Sequence, residues 1–310
     1  MRGVRWRSLA TAVVMAATGL VALGAGPARA AGVINVPANQ PTIQAAINAA
    51  ATGDTVVVAP GTYHERIDFK GKAIEVKSSA GPATTTIDGD GAGIVATFKA
   101  NETRASVLRG FTVTHGLQPP IESDIVGGGI TVQGASPTIV GNVVTANKGS
   151  GIGVLSGSPL IQDNVITANT TLYDGGGIWA GNTSEIVGNR IEDNVAEVAG
   201  GLVIFGTTLV KNNIIRGNRT LGRPGPGGGG GGGGGLVVYG GAVVGNVIAG
   251  NTTERDDSRG GGLLIFNNEH VHVLQNTFAG NTSPNGSAIA GVSVGTSPAT
   301  SCQAHQAPAW

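Results

Sequence analysis

From residue 127 onward, short apolar runs alternate with polar positions at period two, and glycine or asparagine bounds each run. Such alternation turns every second side chain to one face, so each run predicts a β-strand with one buried side. The runs recur in a fixed order. A glycine-led stretch opens each unit, at Gly129 to Val132, Gly151 to Val154, Gly177 to Ala180, Gly201 to Ile204, Gly235 to Val238 and Gly262 to Ile265. A lone inward aliphatic follows, at Ile139, Ile161, Ile186, Val210, Val243 and Val273. The unit closes on Asn-x-aliphatic-x-x-Asn, at Asn142 to Asn147, Asn164 to Asn169, Asn189 to Asn194, Asn213 to Asn218, Asn246 to Asn251 and Asn276 to Asn281.

Successive asparagine motifs lie 22, 25, 24, 33 and 30 residues apart, and a period in this range marks a solenoid. Three inward strands per unit predict a triangular coil. One coil buries too few aliphatics to offset the ordering of its own backbone, so coils are stable only when stacked. Parallel ladders and columns of like side chains, asparagines included, would join them. The Leu-x-x-Leu-x-Leu framework of a leucine-rich repeat and the recurrent Gly-x-Asp of calcium-binding nonapeptides do not occur. Upstream, Ile43, Ala46, Ile47 and Ala50 fall on one face between Pro41 and Gly53, predicting a helix over 41–51 that covers the open end of the core. The expected architecture is an all-β, right-handed parallel β-helix of about eight coils over 55–294. A capping segment over 31–54 precedes it, and an irregular tail over 295–310 follows.

Residues 1–30 stand apart. Arg2, Arg5 and Arg7 precede an apolar stretch from Leu9 to Ala25, and Ala28-Arg29-Ala30 has the small-x-small pattern of signal peptidase, so an export signal is expected. Thr11, Thr18, Gly19 and Gly24 interrupt the stretch and make it too weakly apolar to span a membrane. The mature chain is therefore expected to be secreted or extracytoplasmic. Removing Arg2, Arg5, Arg7 and Arg29 from 19 Lys+Arg leaves 15 against 19 Asp+Glu, and this mildly acidic balance offers nucleic acid no attractive field. With Cys302 as its single cysteine the chain forms no internal disulfide, and stability must come from packing.

The segment Thr42-Ile43-Gln44-Ala45-Ala46-Ile47, followed by Gly53-Asp54-Thr55-Val56-Val57-Val58-Ala59-Pro60-Gly61-Thr62-Tyr63, resembles the opening of the pectin-lyase-like superfamily, to which pectin methylesterases belong. Ile87-Asp88-Gly89 and Gly110-Phe111-Thr112-Val113 are similar to its first full coils. The resemblance implies the fold and a polysaccharide as the default partner; its motifs are structural and specify no reaction.

Residues for the family's known reactions are incomplete. Leu221-Gly222-Arg223-Pro224 resembles the arginine motif of pectin methylesterases, but Leu202 stands where their nucleophilic aspartate would fall, which disfavours esterase chemistry. Of the polygalacturonase motifs, Asp256-Asp257 occurs within Glu254 to Arg259, which reads as a solvated loop of mixed charge; His115 lies upstream of it. A lyase would require calcium held by carboxylates such as Glu122, Asp124 and Asp174; otherwise no cofactor is expected. His270 and His272 lie on one side of a strand and read as an exposed pair without a third ligand.

The outward positions of the glycine-led strands form two columns. One reads Thr131, Gly153, Trp179, Val203, Val237, Leu264, and the other Gln133, Leu155, Gly181, Phe205, Tyr239, Phe266. A face this apolar calls for a cover, either loops or the tail of the same chain, or a ligand. The expected glycan site is Trp179, Phe205 and Tyr239, rimmed by Glu122, Asp124, Asp174 and Arg223 from adjoining loops. The alternative is a non-catalytic surface or structural protein that docks another protein through this face. The glycine run from Gly227 to Gly235 is expected to be a flexible insertion.

Overall fold

Period-two alternation becomes three long parallel sheets in the structure, a computed structural model that describes residues 30–119, 127–222, 231–266, 271–286, 288–292 and 304–306. The glycine-led strands form a nine-stranded sheet from Ile67–Asp68 to Ile289–Val292. The lone-aliphatic strands form a middle sheet of ten, from Val33–Val36 to Val271–Leu274. The asparagine strands form a third, also of ten, from Gly61–His64 to Ala304–Gln306. Each strand pairs in parallel with its equivalents one coil away, so the chain is a parallel β-helix with a single core running through the stack.

The register follows the inward columns. Ile139, Ile161 and Ile186 pair in the middle sheet, and Val144, Ile166 and Ile191 in the asparagine sheet; all six are fully buried. At the two corners flanking the asparagine strands, buried amides form continuous ladders. One runs through Asn142, Asn164, Asn189, Asn213, Asn246 and Asn276, the other through Asn147, Asn169, Asn194, Asn218, Asn251 and Asn281. Each Nδ2 donates to the Oδ1 one coil on, which satisfies polar groups where the chain turns and no strand ladder reaches them.

The capping helix spans Ile43–Ala49, shorter than expected because Thr42 and Ala50 are its caps; it buries Ile43, Ala46 and Ile47. Two side chains of the first coil hold its ends. The Glu65 carboxylate accepts from the Ile43 and Gln44 N–H groups, and the Lys72 ammonium donates to the carbonyls of Ile47, Asn48 and Ala50. Opposite charges thus meet the two poles of the helix dipole. Replacing Lys72 with Met removes three charge-assisted bonds and is expected to lower stability by roughly 2 kcal/mol in urea unfolding; an unchanged midpoint would mean that the apolar face alone seats the helix.

Three expectations are corrected. Val33–Val36, within the segment read as a cap, pairs with Thr55–Val58 and begins the middle sheet before the helix. Ala304–Gln306, in the segment read as an irregular tail, pairs with Asn276–Ala279 in the asparagine sheet. These end strands bring the middle and asparagine sheets to ten strands each. The described part of the glycine run, residues 231–235, is buried and close-packed: a Cβ at Gly233 would overlap the Leu236 carbonyl, and one at Gly234 the Gly261 carbonyl. Glycine is required there for close approach of stacked backbones.

Candidate functional site

The outer face of the glycine-led sheet carries an aromatic ladder. Parallel register places Phe205, Tyr239 and Phe266 one coil apart in one column, with ring centroids 4.7 and 5.0 Å apart and planes within 9° of parallel. Trp179 belongs to the neighbouring column but leans across Gly181, whose missing side chain leaves the space, and meets Phe205 at 5.2 Å and 43°. Stacked faces in the middle of the ladder cover each other, so Phe205 and Tyr239 turn their edges outward. Trp179 ends the row, and its register neighbour on the preceding coil is Gly153, which has no side chain.

The other column is covered. Val203 and Val237 are fully buried and Leu264 is 2 % exposed, packed against Val198 and Ala199 and against the backbone around Gly232 and Gly233. The loops entering the strands stack as well: Gly176 N–H donates to the Ala199 carbonyl, Ala199 N–H to Gly232, and Gly234 N–H to Gly260. The chain's own loops therefore shield this column, while the four rings remain half-buried.

Toward the N-terminal end, register extends both columns beyond the repeat visible in the sequence. Asp68 pairs with Thr97, Thr97 with Thr131 and Thr131 with Gly153, and Lys99 follows Phe98 into the second column. An open groove of about 490 Å³ lies there, lined by Arg66, Asp68, Thr97, Lys99 and Gln118 among others. Lys99 and Asp68 form an ion pair at 3.3 Å, and Arg66 donates to the Ala92 carbonyl. The face thus runs from a charged groove through small residues to the aromatic ladder.

Of the expected rim, Asp174 lies in the stacked loops, bridged to Val198 and directly before Gly175, which abuts the Trp179 backbone. Glu122, Asp124 and Arg223 lie outside the described residues, as do His270 and Cys302. His272 points outward, exposed, from the middle sheet. Arg219 pairs with Glu254 and Arg255 with Asp257, the mixed-charge surface expected of that loop.

A second cluster comes from residues not read as a site. His64, Asp88 and Thr114 are register partners at the ends of three successive strands. The His64 Nδ1 lies 2.8 Å from an Asp90 carboxylate oxygen, and the His115 Nδ1 lies 2.9 Å from Asp88 Oδ2. Hydrogen bonding to Asp90, then its charge, raises the His64 imidazole above its ordinary value. Burial pushes the Asp88 carboxyl upward, but hydrogen bonds from the Asp90 N–H and from His115 outweigh it, and the net shift is downward. The sequence signal was a polar residue closing each of the first three coils, with the partners 26 and 27 residues apart.

The family model described as the right handed β-helix region matches residues 101–283, more than half of the chain. The chain belongs to this right-handed β-helix family. Among solved structures, the β-helix protein is similar to the pectin methylesterase from carrot, at 12 % identity and a TM-score of 0.37 over 84 % of this chain and 88 % of that one. No curated protein matches its sequence. Leu202 of this β-helix protein is fully buried in the inward column beside Ile178 and Leu236. No helix among the described residues is long and apolar enough to cross a membrane.

Proposed function

We propose that this β-helix protein is exported and binds polysaccharide along the outer face of its glycine-led sheet. The observation that carries the reading is the continuity of that face, with Arg66, Asp68 and Lys99 around a groove at one end and the Trp179 ladder at the other. An extended polymer laid along the axis meets one set of outward side chains per coil, every 4.7–4.9 Å or so. Apolar sugar faces suit the open side of Trp179, and a uronate carboxylate suits Lys99 and Arg66. Docking of another protein is the weaker reading, because the chain's own loops already bury the Val203 column.

Affinity electrophoresis of the mature chain against uronate and neutral glycans, with and without calcium, tests the proposal. Trp179→Ala is expected to weaken binding about five-fold, the equivalent of roughly 1 kcal/mol of lost stacking, with the fold retained. Lys99→Ala should weaken uronate binding and leave neutral glycans unaffected. A wild-type chain that is retarded by no glycan, or a Trp179→Ala chain that binds as before, would refute the assignment.

A further inference from the structure

We propose that His64, Asp88 and Asp90 form a binding site for one divalent transition-metal ion. One imidazole nitrogen and two carboxylate oxygens lie within 4.8 Å of one another. That separation is slightly wider than the span of ligands around a single ion bonded at about 2.0–2.2 Å, so a small closure of exposed side chains completes the set. The donors sit on a rigid frame: His64 and Asp88 are register partners on adjacent parallel strands, and Asp90 follows two residues after Asp88.

Three further features favour an ion over a simple surface cluster. Asp88 is held from outside the set by His115, whose Nδ1 lies 2.9 Å from its Oδ2, and within the set its Oδ1 accepts the Asp90 backbone N–H at 2.9 Å. An outer partner of this kind fixes a ligating carboxylate and tunes its donor strength. Among the described residues, neither aspartate is ion-paired with a lysine or arginine, and the side chains that meet the two neighbouring carboxylates are imidazoles. The open side is solvent, with His64 60 % and Asp90 56 % exposed, which leaves room for water to complete the coordination. A nitrogen among the donors selects zinc, cobalt or nickel over calcium, which takes oxygen ligands throughout.

The ion would join the first two coils next to the charged groove, since Arg66 and Ala92, two residues beyond His64 and Asp90, line that groove. The site does not depend on glycan binding. Cobalt(II) titration of the full chain carrying Cys302→Ser, which removes the competing thiol, reads the site through its visible absorption. Zinc calorimetry gives the stoichiometry. One ion per chain is expected, with affinity reduced at least about ten-fold by His64→Ala and by Asp88→Asn, reduced less by His115→Ala, and unchanged by His272→Ala. Circular dichroism and the melting temperature in EDTA establish that each variant is folded. Absence of cobalt binding at millimolar concentration, retention of the spectrum in folded His64→Ala, or displacement of cobalt by equimolar calcium would each overturn the assignment.

Discussion

Replacing Asn194 with alanine lowers the unfolding free energy by about 3 kcal/mol, among the largest effects expected of any substitution outside the aliphatic core. The Asn194 side chain is fully buried. Its Oδ1 accepts from the Asn169 backbone N–H at 3.1 Å and from Asn169 Nδ2 at 3.0 Å, while its Nδ2 donates to the Ile166 carbonyl at 2.9 Å and to Asn218 Oδ1 at 3.0 Å. Alanine leaves two donors and two acceptors without these partners, at a corner closed to water. Each orphaned group costs on the order of 1 kcal/mol or more, and partial relaxation returns some of the sum. For a chain of this length the change corresponds to a fall of about 5 °C in melting temperature. Asn281→Ala, at the half-buried end of the same ladder, should cost less than half as much. Equal losses at the two positions in urea unfolding would show that the ladder contributes no cooperative stability.

Gly201→Ala is expected to cost roughly 3 kcal/mol or more through the opposite mechanism, excess volume. A Cβ at Gly201 overlaps the carbonyl oxygen of Gly235 on the next coil and comes within 3.1 Å of Asn218 Nδ2. Both obstacles belong to ladders, so neither can yield without opening hydrogen bonds between coils. Gly250→Ala supplies the comparison: its φ is +62° and its Cβ would meet nothing within 4 Å. Only the left-handed backbone is penalised there, by about 1 kcal/mol. Measured side by side, the two substitutions separate spacing from conformation; similar losses would mean that the coils can part at Gly201 without penalty.

What was legible in the sequence follows from how local each signal is. The columns Ile139, Ile161, Ile186 and Val144, Ile166, Ile191 repeat within a short unit, and the flanking asparagines repeat with them, so both register and corner chemistry could be read. The first coils could not. Ile67–Asp68 and Ala96–Phe98 are strands of two and three residues without the leading glycine that marks the later units. Their parallel pairing is made with residues about a coil away in sequence, and that placed Asp68 and Lys99 on the face read as apolar. His64 and Asp90 were obscure for the same reason. The glycine run misled differently: composition cannot distinguish a loose glycine from one pressed between backbones, because the distinction lies in neighbours that the run itself does not contain. The aromatic positions Trp179, Phe205 and Tyr239 were legible as outward residues of two adjacent columns, but the mutual covering of their faces was not, since it depends on ring torsions.

The asparagine ladders bear on how such a chain can evolve. The same side-chain link joins neighbouring coils whether 22 or 33 residues separate the two asparagines. Surplus residues leave the solenoid between one asparagine motif and the next glycine-led strand, so the core registers an insertion there as no change at all. Loop length along one edge is thereby uncoupled from the asparagine ladders. Residues added beyond the stacked part of a loop leave the asparagine ladders of neighbouring coils unchanged, and whole coils can be duplicated at an interface that is chemically the same on both sides. Sequence drift in this lineage should therefore concentrate along a single edge while the corners stay fixed.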